Sequence, residues 1–215
     1  MAGVQEPRPA ATVIAARQGP EGVEVLVLQR GSRSRFLPGY VVFPGGAVDP
    51  ADVEHAARWF GTSAEAARAC AVRELSEEAG LVLTADGLRA AACGELGPVD
   101  AAPPRAEQLS EISHWIAPEE VPVRFDARYY ALAAPMGVEP SPDGAEAAHV
   151  WWARPRDVMG DWAAGRARLY WPTMKTMESI ARCETVEDLL AMWIPQQEPE
   201  GDEEEVMPRS TFYQD

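Results

Sequence analysis

Long apolar runs are missing from this sequence, and so is a cysteine framework. No hydrophobic stretch approaches the roughly 20 residues that a membrane-spanning helix needs. Residues 1–18 contain proline and arginine but no apolar segment of a secretory signal. The three cysteines, Cys70, Cys93 and Cys183, are widely spaced and odd in number, which favours reduced thiols. We therefore expect a cytoplasmic protein with no membrane partner.

Positive charge is also scarce. The chain has 19 Lys and Arg against 34 Asp and Glu, which gives a formal net charge of −15. A protein that binds duplex nucleic acid needs a basic surface, so this balance argues against that class of partner. An anionic ligand would have to be met by local arginines or a metal ion, because the overall field repels it.

What is present suits a globular fold of alternating strands and helices. The 215 residues are 47% hydrophobic and 25% charged, enough for one sizeable core with extensions. Apolar and β-branched runs predict strands at residues 10–16, 23–29, 40–43, 81–83, 114–116, 123–133 and 148–153. Helical patterns occupy residues 52–60, 63–79, 155–164, 172–181 and 185–192.

The helix predicted at residues 63–79 carries the most informative residues. Thr62 with Glu65 fits a capping box at its start, and Gly80 fits the left-handed residue that ends it. Three acids, at positions i, i+3 and i+4, share one face of this helix: Glu74, Glu77 and Glu78. Such carboxylates repel one another unless a cation joins them, and oxygen-only ligands favour Mg²⁺ or Mn²⁺. A solvated acidic face is the alternative interpretation.

The wider pattern resembles the box of the Nudix hydrolases, Gx5Ex7REUxEExGU, in which U is a bulky aliphatic residue. From Glu65 onward every position matches, including Arg73-Glu74-Leu75, Glu77-Glu78 and Gly80-Leu81. The chain departs from the box at Trp59, which stands where the first glycine belongs. We interpret residues 49–62 as an insertion in the loop that precedes the helix.

The resemblance implies a fold, a reaction and a set of site residues. The fold is α/β, an α/β/α sandwich with a mixed sheet and extra C-terminal helices at residues 155–193. The domain would span residues 9–195, after an extension at 1–8 and before an acidic flexible tail at 196–215. The activity would be metal-dependent hydrolysis of a nucleoside diphosphate derivative. The implied catalytic residues are Arg73, Glu74, Glu77, Glu78 and Glu146, and the metal ligands are Glu74, Glu77, Glu78 and the carbonyl of Gly46.

The resemblance leaves two roles open. Arg73 would hold a glutamate by a bidentate ion pair, either Glu65 or Glu74. The general base would be Glu74, Glu78 or Glu146.

A second resemblance narrows the substrate. The stretch from Arg30 to Asp52 is similar to the segment before the box in the coenzyme A pyrophosphatase branch of the family. The matching residues are Arg30, Arg35, Gly39, Val41, Phe43-Pro44-Gly45-Gly46, Asp49 and Asp52. This implies coenzyme A or acyl-CoA as substrate, bound by Arg30, Arg35, Phe43, Gly45, Gly46 and Arg128. An ADP-ribose or NADH pyrophosphatase, a non-hydrolytic sensor and an interaction module stay open, as does a homodimer.

Overall fold

A computed structural model of the chain describes residues 6–32, 34, 36–96, 102–119, 123–142 and 147–198. Among these residues, no helix is both long and apolar enough to cross a membrane. The acidic tail predicted at residues 196–215 lies mostly outside the described ranges, so it stays a prediction.

The main sheet of the described residues has seven strands and is mixed. Its long members are β1 (Arg8–Gly19) and β2 (Gly22–Arg30), joined by a tight turn. The short strands β3 (Val41–Val42) and β4 (Gly45–Ala47) pair with β2 and β1 respectively. A separate hairpin comprises β5 (Leu81–Thr84) and β6 (Gly87–Ala90).

Three later strands complete the main sheet: β7 (Ser110–Ile116), β8 (Phe125–Ala133) and β9 (Ala147–Ala153). Strand β8 runs parallel to β1, while the other pairings in the sheet are antiparallel. The strand order is β3-β2-β1-β8-β7, and β9 also pairs with β2. The expected mixed sheet is therefore confirmed.

In the described part of the chain, five α-helices flank the strands: α1 (Pro50–Phe60), α2 (Ala66–Ala79), α3 (Pro155–Ala163), α4 (Trp171–Ile180) and α5 (Val186–Ala191). A 3₁₀ turn at Ser63–Glu65 precedes α2, and another lies at Ala106–Gln108. Thr62 caps the first turn through its side chain, as predicted, but Glu65 makes no capping bond in return. Gly80 ends α2 with φ of 60°, a conformation that glycine adopts without strain.

The two faces of the sheet bury separate cores because strand residues alternate in direction. Val13 faces α2 and packs with Leu26, Leu75 and Tyr130. Its neighbour Ile14 faces the opposite way, into a core closed by helices α3, α4 and α5. The layers are thus helix, sheet and helix, which confirms the predicted sandwich.

The sequence predicts that aromatic and methionine side chains of the C-terminal helices lie in the core or at a dimer interface. Trp171, Met174 and Met177 are buried against the sheet. Trp193 is 59% exposed and lies outside the core, so for that residue the alternative of a dimer interface stays a prediction. It lies in an irregular segment whose next residue, Ile194, takes the buried place beside β7.

Candidate active site

The C-terminal half of α2 holds the three predicted glutamates at the edge of the sheet. Glu74 is 9% exposed and Glu78 is 4% exposed, whereas the Glu77 side chain is 47% exposed. We expected surface-facing carboxylates at positions 77 and 78. That expectation is wrong for Glu78, because α2 turns this side chain toward the sheet and strand β4 covers it. The cluster therefore lies at the boundary between the core and solvent.

Strand β4 brings the Gly45-Gly46 pair against these acids. The Gly45 N–H donates to Oε2 of Glu78 at 2.9 Å. A Cβ added to Gly46 would lie 2.2 Å from Oε1 of Glu74. The absence of a side chain at position 46 is what lets the Glu74 carboxylate lie against the strand. The structure thus places both glycines beside the cluster, as the sequence predicted.

Arg73 joins two of the glutamates to helix α1. Its Nη1 donates to Oε1 of Glu74 at 2.8 Å and to Oε2 of Glu77 at 2.7 Å. Its Nε and Nη2 donate to the two carboxylate oxygens of Asp52, each at 2.9 Å. The prediction that Arg73 holds Glu74 is therefore right, but the contact is a single hydrogen bond, and the bidentate partner is Asp52. Glu65 instead forms an ion pair with Arg68.

Burial shapes the electrostatics of this cluster. It raises the pKa of Glu74 above its ordinary value, while the charge and hydrogen bond of Arg73 act in the opposite direction. Burial alone would lower the pKa of Arg73, but its hydrogen bonds to Asp52 and Glu77 and the negative charge of Glu74 together raise that pKa above its ordinary value. Arg73 therefore carries a permanent positive charge among three carboxylates.

The arginine loop before β3 reaches the same cluster. Arg30 lies with Nη1 3.8 Å from Oε1 of Glu78, and its Nε donates to the Phe36 carbonyl at 2.8 Å. This second contact ties the guanidinium to the loop that follows β2. Arg35 and Glu146, predicted to bind substrate and to act in catalysis, lie outside the described residues.

Two predicted substrate contacts do not join the cluster. Phe43 is 4% exposed and packs in the core on the face of α3 to α5, so its side chain has a packing role. Arg128 forms an ion pair with Glu111, Nη1 to Oε1 at 2.7 Å, on the surface beside β7. Arg128 on β8 and Gly46 on β4 both pair with Ala11 of β1, from opposite sides. The backbones of Arg128 and Gly46 therefore lie two strand spacings apart, about 10 Å. The contact with Glu111 fits the alternative interpretation of Arg128, in which the arginine pairs with a surface acid and does not bind substrate.

The donors near α2 have the right chemistry for a hard divalent cation. The carboxylate of Glu74 lies against Gly46 and that of Glu78 accepts from the Gly45 N–H, and oxygen is the ligand that such ions prefer. Within the described residues, no three acidic, histidine or cysteine side chains already converge on one point. Arg73 instead holds Glu74 and Glu77 through one nitrogen.

Sequence reasoning missed the contact between Asp52 and Arg73. The spacing Asp49-Pro50-x-Asp52 indicates only where the helix begins, because an acid at the cap and another at the third helical position form a capping box. The structure shows that box: Asp49 accepts from Ala51, and Asp52 accepts from the Asp49 N–H. The predicted helix at residues 52–60 accordingly begins earlier, at Pro50, and its Ala57 is exposed where an inward side was expected.

A three-layer sandwich with a glutamate-rich helix against a glycine-glycine strand is the arrangement that the resemblance to the Nudix box implied. The family model of the NUDIX domain matches residues 6–171, and the chain belongs to that family. The predicted family membership is thereby confirmed.

The relatives include a Caenorhabditis elegans protein named "Putative nudix hydrolase 7", 28% identical over 191 residues and aligned with 81% of this chain. The Gallus gallus "Acyl-coenzyme A diphosphatase NUDT19" is 34% identical over 137 residues, which cover 45% of this chain. The aligned parts make up 61% and 35% of the length of those two proteins.

Solved structures agree on the fold. A crystal structure of a NUDIX hydrolase from Alicyclobacillus acidocaldarius is 27% identical, with a TM-score of 0.71 over 89% of this chain and 99% of the other. The NUDIX domain of Shewanella oneidensis NrtR, solved with ADP ribose, is 13% identical, with a TM-score of 0.52 over 81% of this chain and 86% of the other. At that identity, this second likeness shows the fold alone.

Proposed function

We propose that this protein is a divalent-metal-dependent hydrolase that cleaves the diphosphate of a nucleoside diphosphate derivative, with coenzyme A or acyl-CoA as the substrate. The observation that carries the proposal is the meeting of Glu74, Glu77 and Glu78 with the Gly45-Gly46 backbone and with Arg73. Membership of the NUDIX family supports the reaction type.

The difficulty of the reaction is electrostatic, since water must attack a phosphorus that already carries negative charge. Bound Mg²⁺ or Mn²⁺ offsets that charge and lowers the pKa of the attacking water. The chain provides oxygen donors for the ion in Glu74, Glu77, Glu78 and the carbonyl of Gly46. Arg73 keeps the side chains of Glu74 and Glu77 together before the ion binds.

Arg30 is the described residue best placed to bind the substrate. Its guanidinium is anchored to the Phe36 carbonyl and lies at the Glu78 edge of the cluster. A guanidinium binds two phosphate oxygens at once, so it orients the diphosphate toward the glutamates. The base that accepts a proton from water is Glu74, Glu78 or Glu146.

Two observations support a coenzyme A substrate. The stretch from Arg30 to Asp52 is similar to the segment before the box in coenzyme A pyrophosphatases, and the structure brings Arg30, Gly45, Gly46 and Asp52 to one cluster. A relative that aligns with part of the chain is named an acyl-coenzyme A diphosphatase. The products would be 3′-phosphoadenosine 5′-phosphate and 4′-phosphopantetheine or its acyl form.

A substrate panel tests both levels of the proposal. The purified full chain is incubated with Mg²⁺ or Mn²⁺ and with CoA, acetyl-CoA, ADP-ribose, NADH or dNTPs, and the products are separated by chromatography. We expect the highest kcat/KM with CoA or acetyl-CoA. Preference for ADP-ribose or NADH would overturn the substrate class, and no metal-dependent cleavage of any compound would overturn hydrolysis itself.

A further inference from the structure

The insertion before α2 contributes a buried carboxylate to the cluster. Asp52 is 0% exposed, although it belongs to α1, a helix whose neighbouring residues Ala51 and Val53 are exposed. A buried charge is stable only when it is paired and hydrogen-bonded. Asp52 meets this condition with three bonds: two from Arg73 and one from the Asp49 N–H at 2.8 Å.

These bonds determine how Arg73 is oriented. Arginine has five N–H donors in a fixed plane. Here Nε and Nη2 each donate a hydrogen bond to Asp52, and Nη2 also donates to the Ala47 carbonyl at 3.2 Å. Both N–H groups of Nη1 are thereby directed at Glu74 and Glu77. Since the guanidinium is rigid, fixing one edge at Asp52 fixes the other edge at the glutamates.

The first glutamate of the box makes different contacts. Glu65 accepts a hydrogen bond from Nη1 of Arg68, one turn further along α2. Arg68 also donates from Nε to the Leu109 carbonyl at 3.2 Å and stacks over the ring of Tyr130. Glu65 is therefore engaged on the β8 side of α2, away from Arg73.

Helix α1 is itself firmly held, so it can position a partner. Asp49 caps its start, Gly61 ends it in the left-handed conformation, and Ala56 is 0% exposed. Trp59 and Phe60 pack at the edge of the core under α2. The position of residue 52 is consequently fixed by the cap at the start of α1 and by the packing of its C-terminal half against the core beside α2.

We infer that Asp52, on the inserted helix α1, is the positioning residue of the glutamate cluster: it orients Arg73, and through Arg73 it sets Glu74 and Glu77 for a divalent cation. This inference rests on the proposed function only in giving the cation a catalytic purpose. The insertion is thus a working part of the site, and Glu65 supports a different side of the helix.

The test measures Mn²⁺ binding, by the loss of the free-ion signal in electron paramagnetic resonance, and kcat in parallel. Asp52→Asn keeps the size of the side chain but removes its charge. We expect its dissociation constant for Mn²⁺ to rise about 10- to 100-fold, because partners behind metal ligands have effects of that size. Asp49→Asn removes one charge from the same helix end, and Glu65→Gln removes the charge of the box glutamate. Both should change Mn²⁺ binding less than about threefold.

A double variant shows whether Asp52 acts by positioning Arg73 or only by adding negative charge near the cation. In an Arg73→Lys background, Asp52→Asn should cause little further weakening, because lysine cannot make the bidentate pair that Asp52 orients. Should Asp52→Asn fail to fold, Arg73→Lys alone takes its place, with the same expected rise in the dissociation constant. Unchanged Mn²⁺ binding in the folded Asp52→Asn variant, or a larger effect from Glu65→Gln, would overturn the inference.

The inference about Asp52 and the proposed hydrolase function can be rejected independently of each other. If the wild-type protein binds Mn²⁺ and Asp52→Asn weakens that binding, the inference stands even when no substrate in the panel is cleaved. If substrates are cleaved and Asp52→Asn leaves both kcat and Mn²⁺ binding unchanged, hydrolysis stands and the inference is rejected.

Discussion

Two arginines in this protein make the same kind of connection in different surroundings. Arg73 links Asp52 of α1 to glutamates of α2, and its side chain is 14% exposed. Arg154 links Glu21 of the β1–β2 turn to Asp157 of α3, and its side chain is 38% exposed with acids that are more exposed still. Exposed ion pairs contribute little because water and salt screen them, whereas a buried pair fixes geometry strongly. Burial, rather than the number of ion pairs, distinguishes the Arg73 cluster from the Arg154 cluster.

The largest expected effect lies in the buried cluster. Glu78→Gln should lower kcat by at least about 100-fold, because losing a metal ligand costs several kcal/mol of transition-state stabilisation. The amide oxygen can still accept from the Gly45 N–H, so the melting temperature should change little. Steady-state kinetics at saturating Mg²⁺ and a thermal melt give the comparison. Glu187→Gln, an exposed acid on α5, is the control for charge; full activity in Glu78→Gln would remove Glu78 from the ligand set.

The glycine that touches the cluster should rank next. Gly46→Ala puts a methyl group 2.2 Å from where Oε1 of Glu74 lies, so the carboxylate must move. A shift of about 1 Å in a reacting group can reduce the rate about 100-fold, and we expect a loss approaching that size. Gly160→Ala is the matched control, since no atom lies within 4 Å of the added carbon. Equal kcat in the two variants would show that Glu74 tolerates displacement.

The arginines can be compared directly. Arg73→Gln leaves Asp52 buried and unpaired, which should lower the free energy of unfolding by about 3 kcal/mol. Arg154→Gln should leave both stability and turnover unchanged within error, because its partners are solvated. Urea unfolding curves measure both. The contrast between buried and exposed pairs breaks down if Arg154→Gln destabilises the protein as much as Arg73→Gln.

The smallest effect concerns a thiol beneath the cluster. Cys70 is fully buried, and burial raises the pKa of its thiol well above the ordinary value. Native protein should therefore leave Cys70 unlabelled by iodoacetamide at pH 8, while unfolded protein is labelled there. Peptide mass spectrometry reads the labelled fraction. Rapid native labelling of Cys70 would mean that water reaches the region under Arg73.

Local patterns predicted much of this molecule. The hairpin of β1 and β2 followed from two β-branched runs around a glycine-bearing turn, and the end of α2 followed from Gly80. The acids at i, i+3 and i+4 followed from helical spacing. Strand β4 was missed because a glycine-rich segment has little strand propensity, and only pairing with β1 makes it a strand.

The site beyond α2 depended on tertiary contacts. Whether Arg73 bonds Glu65 or Asp52 is decided by where α1 packs, and spacing along the chain carries no such information. Phe43 shows the same limit, since the sequence places it beside the glycine pair but does not reveal that its side chain enters the core on the opposite face of the sheet from α2. Gly45, Gly46 and Arg30 do lie beside the glutamates of α2, and their role in binding substrate stays a prediction.

The most direct test is a crystal soaked in Mn²⁺, with anomalous scattering used to locate the ion. We expect an anomalous peak for Mn²⁺ about 2.2 Å from carboxylate oxygens of Glu74 and Glu78, with Arg73 still bonded to Asp52. A peak elsewhere, or none while Arg73 keeps both Glu74 and Glu77, would contradict this expectation.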